Sequence, residues 1–138
     1  MKTRFSSLVT LKKSAMDKSE RVLQNANVDL KSAIKALEVS YASLSDIETP
    51  ERGSVSSLLA SRTLLNSQRG SIQHNHEWVD FAKNQVRLAK EQLRLDVLEY
   101  EKFEYLEVQE IKKMLKEQKI KEAKELDEIA LMTYGQKG

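Results

Sequence analysis

Cysteine is absent from the 138 residues, which excludes a disulfide framework or a thiolate metal site and is what a reducing cytosol would permit. Proline occurs once and glycine four times, so little in the chain interrupts a regular helix. Aromatic residues make up 6% against 32% charged ones, a balance that argues against a large buried core and suits long, surface-rich helices. No run approaches the roughly 20 apolar residues of a membrane span. The segment from Met1 to Leu11 carries Lys2 and Arg4, but its apolar run is broken by Ser6, Ser7 and Thr10 and lacks a small-residue cleavage site, so it does not read as a signal peptide. The expectation is a soluble protein with no direct membrane insertion. A net charge of +2, with Lys and Arg interleaved among Asp and Glu, makes no case for a nucleic-acid partner.

What the chain does have is two seven-residue ladders. Val9, Met16, Leu23, Leu30, Leu37 and Leu44 form the first, and Leu58, Leu65, Ile72, Val79, Val86 and Leu93 the second. They mirror each other about Glu51, between Pro50 and Gly53, where a turn is needed. The fold predicted is all-α: a two-helix antiparallel coiled-coil hairpin with a longer, overhanging C-terminal helix, in a single elongated domain over 1–138. Helix 1 is expected over about 5–47, the loop over about 48–54 and helix 2 over about 55–134, with Thr49 or Ser54 as the helix 2 cap and Gly135 as its stop. Folding about Glu51 sets Phe5 level with Val97. Roughly 37 residues from Leu98 onward then have no partner, an overhang of about 55 Å at 1.5 Å per residue. Lys2 and Arg4 would lie near Asp96, Glu99 and Glu101 in that register.

A second row on helix 1, Phe5, Lys12, Ser19, Ala26, Ala33, Ser40 and Ile47, is small or polar in its middle, and Ala82 and Ala89 answer it on helix 2. A row of large residues beside a row of small ones lets the backbones approach closely. Gly70, placed opposite Ser32 by the mirror, reads as a soft point or a close contact, costing about 1 kcal/mol relative to Ala in a helix interior.

Two helices enclose no cavity in which a substrate is held away from water, so function belongs to the surface. The run HNHEW, with His74, His76 and Glu77, is the one cluster resembling a metal or catalytic site. Residues two apart on a helix diverge by about 200°, so His74 and His76 cannot share an ion, and His76 with Asp80 supplies only two ligands. No phosphate-binding Gly-rich loop, nucleophile elbow or HExxH is present. The reading is therefore no enzyme, no cofactor, no metal site and no catalytic residue.

Apolar residues off the seam are more informative. Trp78, Phe81, Leu88 and Leu95 face away from the second ladder and form a stripe that a two-helix hairpin leaves wet, marking a partner surface or a seam for homo-oligomerisation. In the overhang, an acidic block from Asp96 to Glu110 is followed by Lys112, Lys113, Lys116, Lys119, Lys121 and Lys124. Phe103, Leu106, Ile111, Leu115, Leu126, Ile129 and Met132 run through both, and a lone helix exposes most of them.

Phe5-x-x-Leu8-x-x-Leu11 followed by Lys12-Lys13, the hairpin layout, and the ending KEAKELDEIA from Lys121 to Ala130 together resemble the FliJ proteins of bacterial flagellar type III export. The resemblance implies a cytoplasmic component, peripherally associated with the inner-membrane export apparatus and built like the central stalk of rotary ATPases. Its implied partners are the hexameric export ATPase, the cytoplasmic domain of the export gate, and export chaperones. Carried over by position, Phe5, Leu8, Leu11, Leu126, Asp127 and Glu128, with Ile129 beside them, belong to the ATPase-ring end, and Tyr41, Leu64 and Ile72 to the gate-binding surface. The alternative is a self-associating structural coiled coil unrelated to export, with Phe81, Leu88 and Leu95 as its homotypic seam.

Overall fold

The computed structural model describes residues 2–47 and 53–137, of which 136 and 137 are described by backbone alone. Two helices pack against each other as an all-α hairpin: α1, Ser6–Ser45, and α2, Val55–Lys137. Thr3 and Ser6 start α1 reciprocally, with Ser6 N–H donating to the Thr3 carbonyl at 3.1 Å and Thr3 N–H donating to Ser6 Oγ at 2.8 Å. Ser54 caps α2, its Oγ accepting from Ser57 N–H at 3.3 Å, while Thr49, the other candidate, lies outside the described residues. Gly135 does not end α2; helical geometry continues through it to Lys137, with no positive φ among the described glycines.

Contacts divide the chain into two units, Asp17–Leu95 and Met1–Met16 with Asp96–Gly138. In the first, the row of small residues is the buried one: Ser19, Ala26, Ala33 and Ser40 are the buried positions of α1, with Ala33 fully buried. Ala33 packs with Val79 and Ala82, and Ala26 with Val86 and Ala89, while Leu23, Leu30 and Leu37 flank these clusters half-buried. Small side chains thus occupy the line of closest approach, and the leucines cover its edge.

The register differs from the mirror about Glu51. That mirror sets Ala33 opposite Arg69, but its partners are Val79 and Ala82, ten and thirteen residues further on. The reason is physical. A seven-residue ladder repeats at every heptad and each helix carries a second row three or four residues along, so a slide of about ten is one heptad plus a change of row, and leucines alone leave the pairing open. Small residues must meet small residues, and polar seam groups must find partners. Asn75 Nδ2 donates to Ser40 Oγ and, at 3.3 Å, to the Ala36 carbonyl; Gln68 Nε2 donates to the Ser40 carbonyl at 2.8 Å. These bonds tie the polar end of the seam in one alignment.

The same shift appears in the second unit. Lys12 Nζ lies 3.5 Å from Glu99, where the mirror would set it level with Lys90, and Arg4 reaches Glu110 at 3.6 Å. Lys12 also sits over the Phe103 ring, 5.7 Å from its centroid. The expected meeting of basic N-terminus and acidic block occurs, but further along α2. Phe103, Leu106, Ile111 and Met114 are accordingly half-buried, and full exposure begins at Leu115 instead of Leu98. Glu107 occupies this seam with one carboxylate oxygen, Oε2, buried and without a hydrogen-bond partner among the described residues.

Gly70 is not a close contact. A Cβ built there meets nothing within 4 Å, because its side of α2 opens on a shallow groove lined by Ser40, Ser43, Ser67 and Ser71.

Candidate partner-binding surfaces

Trp78, Phe81, Leu88 and Leu95 occur at helical spacing on α2 and are turned out by the burial of Val79, Ala82, Val86 and Ala89 on the seam side. Phe81, 62% exposed, stands between two shallow concavities. One is formed with His74, Glu77 and Trp78, the other with Val22, Asn25, Asp29 and Gln85. The contribution of α1, through the exposed Val22, was not visible in the ladders; its signal is a valine directly before the seam residue Leu23, on the flank facing the stripe. Beside the stripe, Arg94 grips Glu91 with two bonds, Nη2 to Oε1 at 2.6 Å and Nε to Oε2 at 3.2 Å. The guanidinium holds the Glu91 carboxyl below the usual carboxylate range, and the carboxylate raises Arg94 in turn; both are exposed.

The three residues carried over for gate binding separate. Tyr41 and Leu64 are exposed, whereas Ile72 is buried in the seam at 9% exposure, as its place in the ladder requires. Tyr41 has a further role: its hydroxyl and His76 Nε2 are 2.7 Å apart, and the two rings meet edge to face at 5.8 Å between centroids. His76 is thus engaged across the hairpin by Tyr41. Among the described residues no three His, Cys, Asp or Glu side chains gather where they could hold a metal ion.

In the other unit, Phe5 is half-buried with the Arg4 guanidinium 5.0 Å from its ring centroid, while Leu8 and Leu11 are exposed. From Leu115 to Gly135 every residue of α2 is exposed, including Leu126, Asp127, Glu128, Ile129, Leu131 and Met132. The two groups of ring-end candidates are not adjacent. Arg4 pairs with Glu110, and Leu126 lies sixteen residues beyond it, about 24 Å along the helix. No helix among the described residues is long and apolar enough to cross a membrane.

Neither a curated protein nor a solved structure matches the sequence. A family described as flagellar FliJ protein does, over residues 1–138, the whole of the chain given. With that coverage, and with the two packed helices the family resemblance implied, the chain belongs to the flagellar FliJ family and so to flagellar protein export.

Proposed function

We propose that this chain is a non-enzymatic stalk and adaptor of the flagellar type III export apparatus, cytoplasmic and peripherally held at the inner membrane. In this reading the exposed end of α2 enters the hexameric export ATPase, and the Asp17–Leu95 unit offers surfaces to the export gate and to substrate chaperones. One observation carries it: α2 runs on from Leu115 with no α1 residue beside it, exposing Leu126, Ile129, Leu131 and Met132. A helix that leaves such residues in water is finished by a partner. Alternating charge and scattered apolar groups suit a surrounding ring, because contacts form at several rotational settings without one deep pocket. Tyr41 and Leu64 are the gate candidates, with Ile72 supporting that surface from within the seam. The Trp78 to Leu95 stripe is assigned to a protein partner.

The test is reconstitution. Purified chain mixed with the cognate ATPase is expected to promote hexamers and raise ATP turnover. Leu126→Asp with Ile129→Asp is expected to weaken stimulation about tenfold or more, since two exposed apolar anchors are converted to charges, while helicity by circular dichroism is retained. Full stimulation by that variant would remove the α2 end from the mechanism.

A further inference from the structure

Apolar packing in the Asp17–Leu95 unit repeats every seven residues. Ala26 sits with Val86 and Ala89, and Ala33, one heptad on, sits with Val79 and Ala82. The polar contacts gather instead at one point. Asn75 Nδ2 donates to Ser40 Oγ and to the Ala36 carbonyl, and the Tyr41 hydroxyl lies 2.7 Å from His76 Nε2. A second amide reaches the same place: Gln68, seven residues before Asn75 and in the same row, donates to the Ser40 carbonyl at 2.8 Å. Ser40 therefore has two amides within reach, one heptad apart, of which only Asn75 holds its hydroxyl.

We propose that the hairpin has a second register, one heptad away, and that Ser40 is a latch with two notches, Asn75 in the register of the structure and Gln68 in the other. Sliding α1 by seven residues, about 10.5 Å, toward the start of α2 keeps each row against the same row. Ser19 takes the place of Ala26 against Val86 and Ala89, Ala26 that of Ala33 against Val79 and Ala82, and Ala33 meets Ile72 and Asn75. Small residues still occupy the line of closest approach. Gln68 comes level with Ser40 and takes over its hydroxyl, while the half-buried Asn75 turns to water at the edge of the seam. Near the connection the exposed Leu64 and half-buried Leu65 gain cover. In the other unit Ile111 and Met114 lose it, so the apolar exchange is close to even. The pairs of Arg4 with Glu110 and Lys12 with Glu99 are lost and, being partly exposed, oppose the slide weakly. The end of α1 moves toward the start of α2, so the connection is not stretched; the opposite slide would draw these ends apart and set Ala26 against Leu93 and Asp96. In the slipped form seven more residues of α2 lack an α1 residue beside them, and the exposed Tyr41 leaves His76 for the level of Arg69. Occupancy of Tyr41 and the length of free α2 are thereby read from one equilibrium.

Disulfide formation in this chain, which has no native cysteine, tests the two registers. Ala26→Cys with Ala89→Cys reports the register of the structure, and Ala26→Cys with Ala82→Cys the slipped one. In the structure the second pair is out of step by about 10.5 Å, beyond the Cα separation of about 4.4–6.8 Å that a disulfide spans. Without further change the first pair is expected to close about tenfold or more faster than the second. Asn75→Leu removes the first notch at similar volume and should raise closure of the second pair relative to the first about tenfold or more, with helicity by circular dichroism retained. Ser40→Ala, which removes the hydroxyl both notches use, should move that ratio by less than about threefold. A ratio unmoved by Asn75→Leu overturns the second register. A shift by Ser40→Ala as large as that by Asn75→Leu overturns the shared latch, and equal closure of both pairs in the otherwise unchanged chain overturns a latch of any kind. Should Asn75→Leu lose helicity, Tyr41→Phe carries the test: it removes one exposed bond of the first register and is expected to raise the ratio about threefold, an unmoved ratio again overturning the proposal. The measurement uses the chain alone, so neither result bears on the export reading.

Discussion

Ala33→Leu should destabilise this hairpin, although the same change at a core position of most coiled coils would stabilise it. The position is fully buried, and its neighbours across the seam are Val79 and Ala82. If the helices stood at ordinary spacing, a leucine would fill the seam and contribute about 1.5–3 kcal/mol of apolar burial. Here the methyl group already closes the gap. Three further carbons must either take an off-rotamer position or push α2 away from Ala26, Ala33 and the flanking Leu30, and overpacking of that kind costs about 1–3 kcal/mol. The two outcomes differ in sign, so the experiment decides between close and ordinary packing. Urea unfolding followed by circular dichroism, with the slope checked against the parent chain, is the assay. Ala33→Gly serves as a control, expected to lose about 2 kcal/mol, roughly 1 from helix propensity and the rest from the buried methyl. A midpoint for Ala33→Leu above that of the parent would refute the close approach and with it the account of the register.

Gly70→Ala should stabilise the protein by about 1 kcal/mol, since a Cβ there meets nothing within 4 Å and glycine costs about that much in a helix interior; a loss in urea midpoint would show a backbone contact at the groove. Glu107→Leu removes a buried carboxylate oxygen without a partner from a seam position and is expected to raise stability by about 1–2 kcal/mol; a fall would show that the carboxylate is satisfied in solution. The Glu91 carboxyl is held down by Arg94, so this pair's small contribution is full above the ordinary carboxylate range and is lost as pH falls through the lowered folded value. Arg94→Gln should accordingly move the Glu91 titration upward by NMR, with little change in thermal midpoint at neutral pH because both groups are exposed; an unmoved titration refutes the coupling.

The rows of the seam were legible in the sequence because burial on a helix repeats every three and four residues. Val79, Val86, Ala82 and Ala89 point inward as the period requires, and the small row through Ala26 and Ala33 marks the close approach. The pairing between rows was not legible. It depends on which heptad of one helix meets which of the other, and the discriminating groups, Asn75, Gln68 and Ser40, look like ordinary surface polar residues until they are seen bonded across the seam. The overhang is shorter for the same reason, because a shift of about ten residues gives Arg4, just ahead of α1, a partner as far along as Glu110 and leaves less of α2 alone. Among site residues, the Trp78, Phe81, Leu88 and Leu95 stripe could be read from spacing. Ile72 could not be kept as a surface residue, since its ladder position buries it, and the Tyr41 to His76 contact joins residues that no local pattern connects.

The stretch of α2 beyond Met114 has a thermodynamic character of its own. With no α1 residue alongside, its helix rests on local hydrogen bonds and on residue propensity, which in LKEQKIKEAKELDEIALM is favourable but close to balance for about twenty residues in water. For a helix so close to balance, the population of straight helix is a quantity that temperature, salt and sequence adjust. Any partner that grips Leu126 or Ile129 first orders the turns around them, so part of its binding energy goes into folding. Affinity for this end is therefore tunable through helix propensity as well as through contacts: a helix-favouring change at Gly135 should tighten binding, and Ala123→Gly should loosen it.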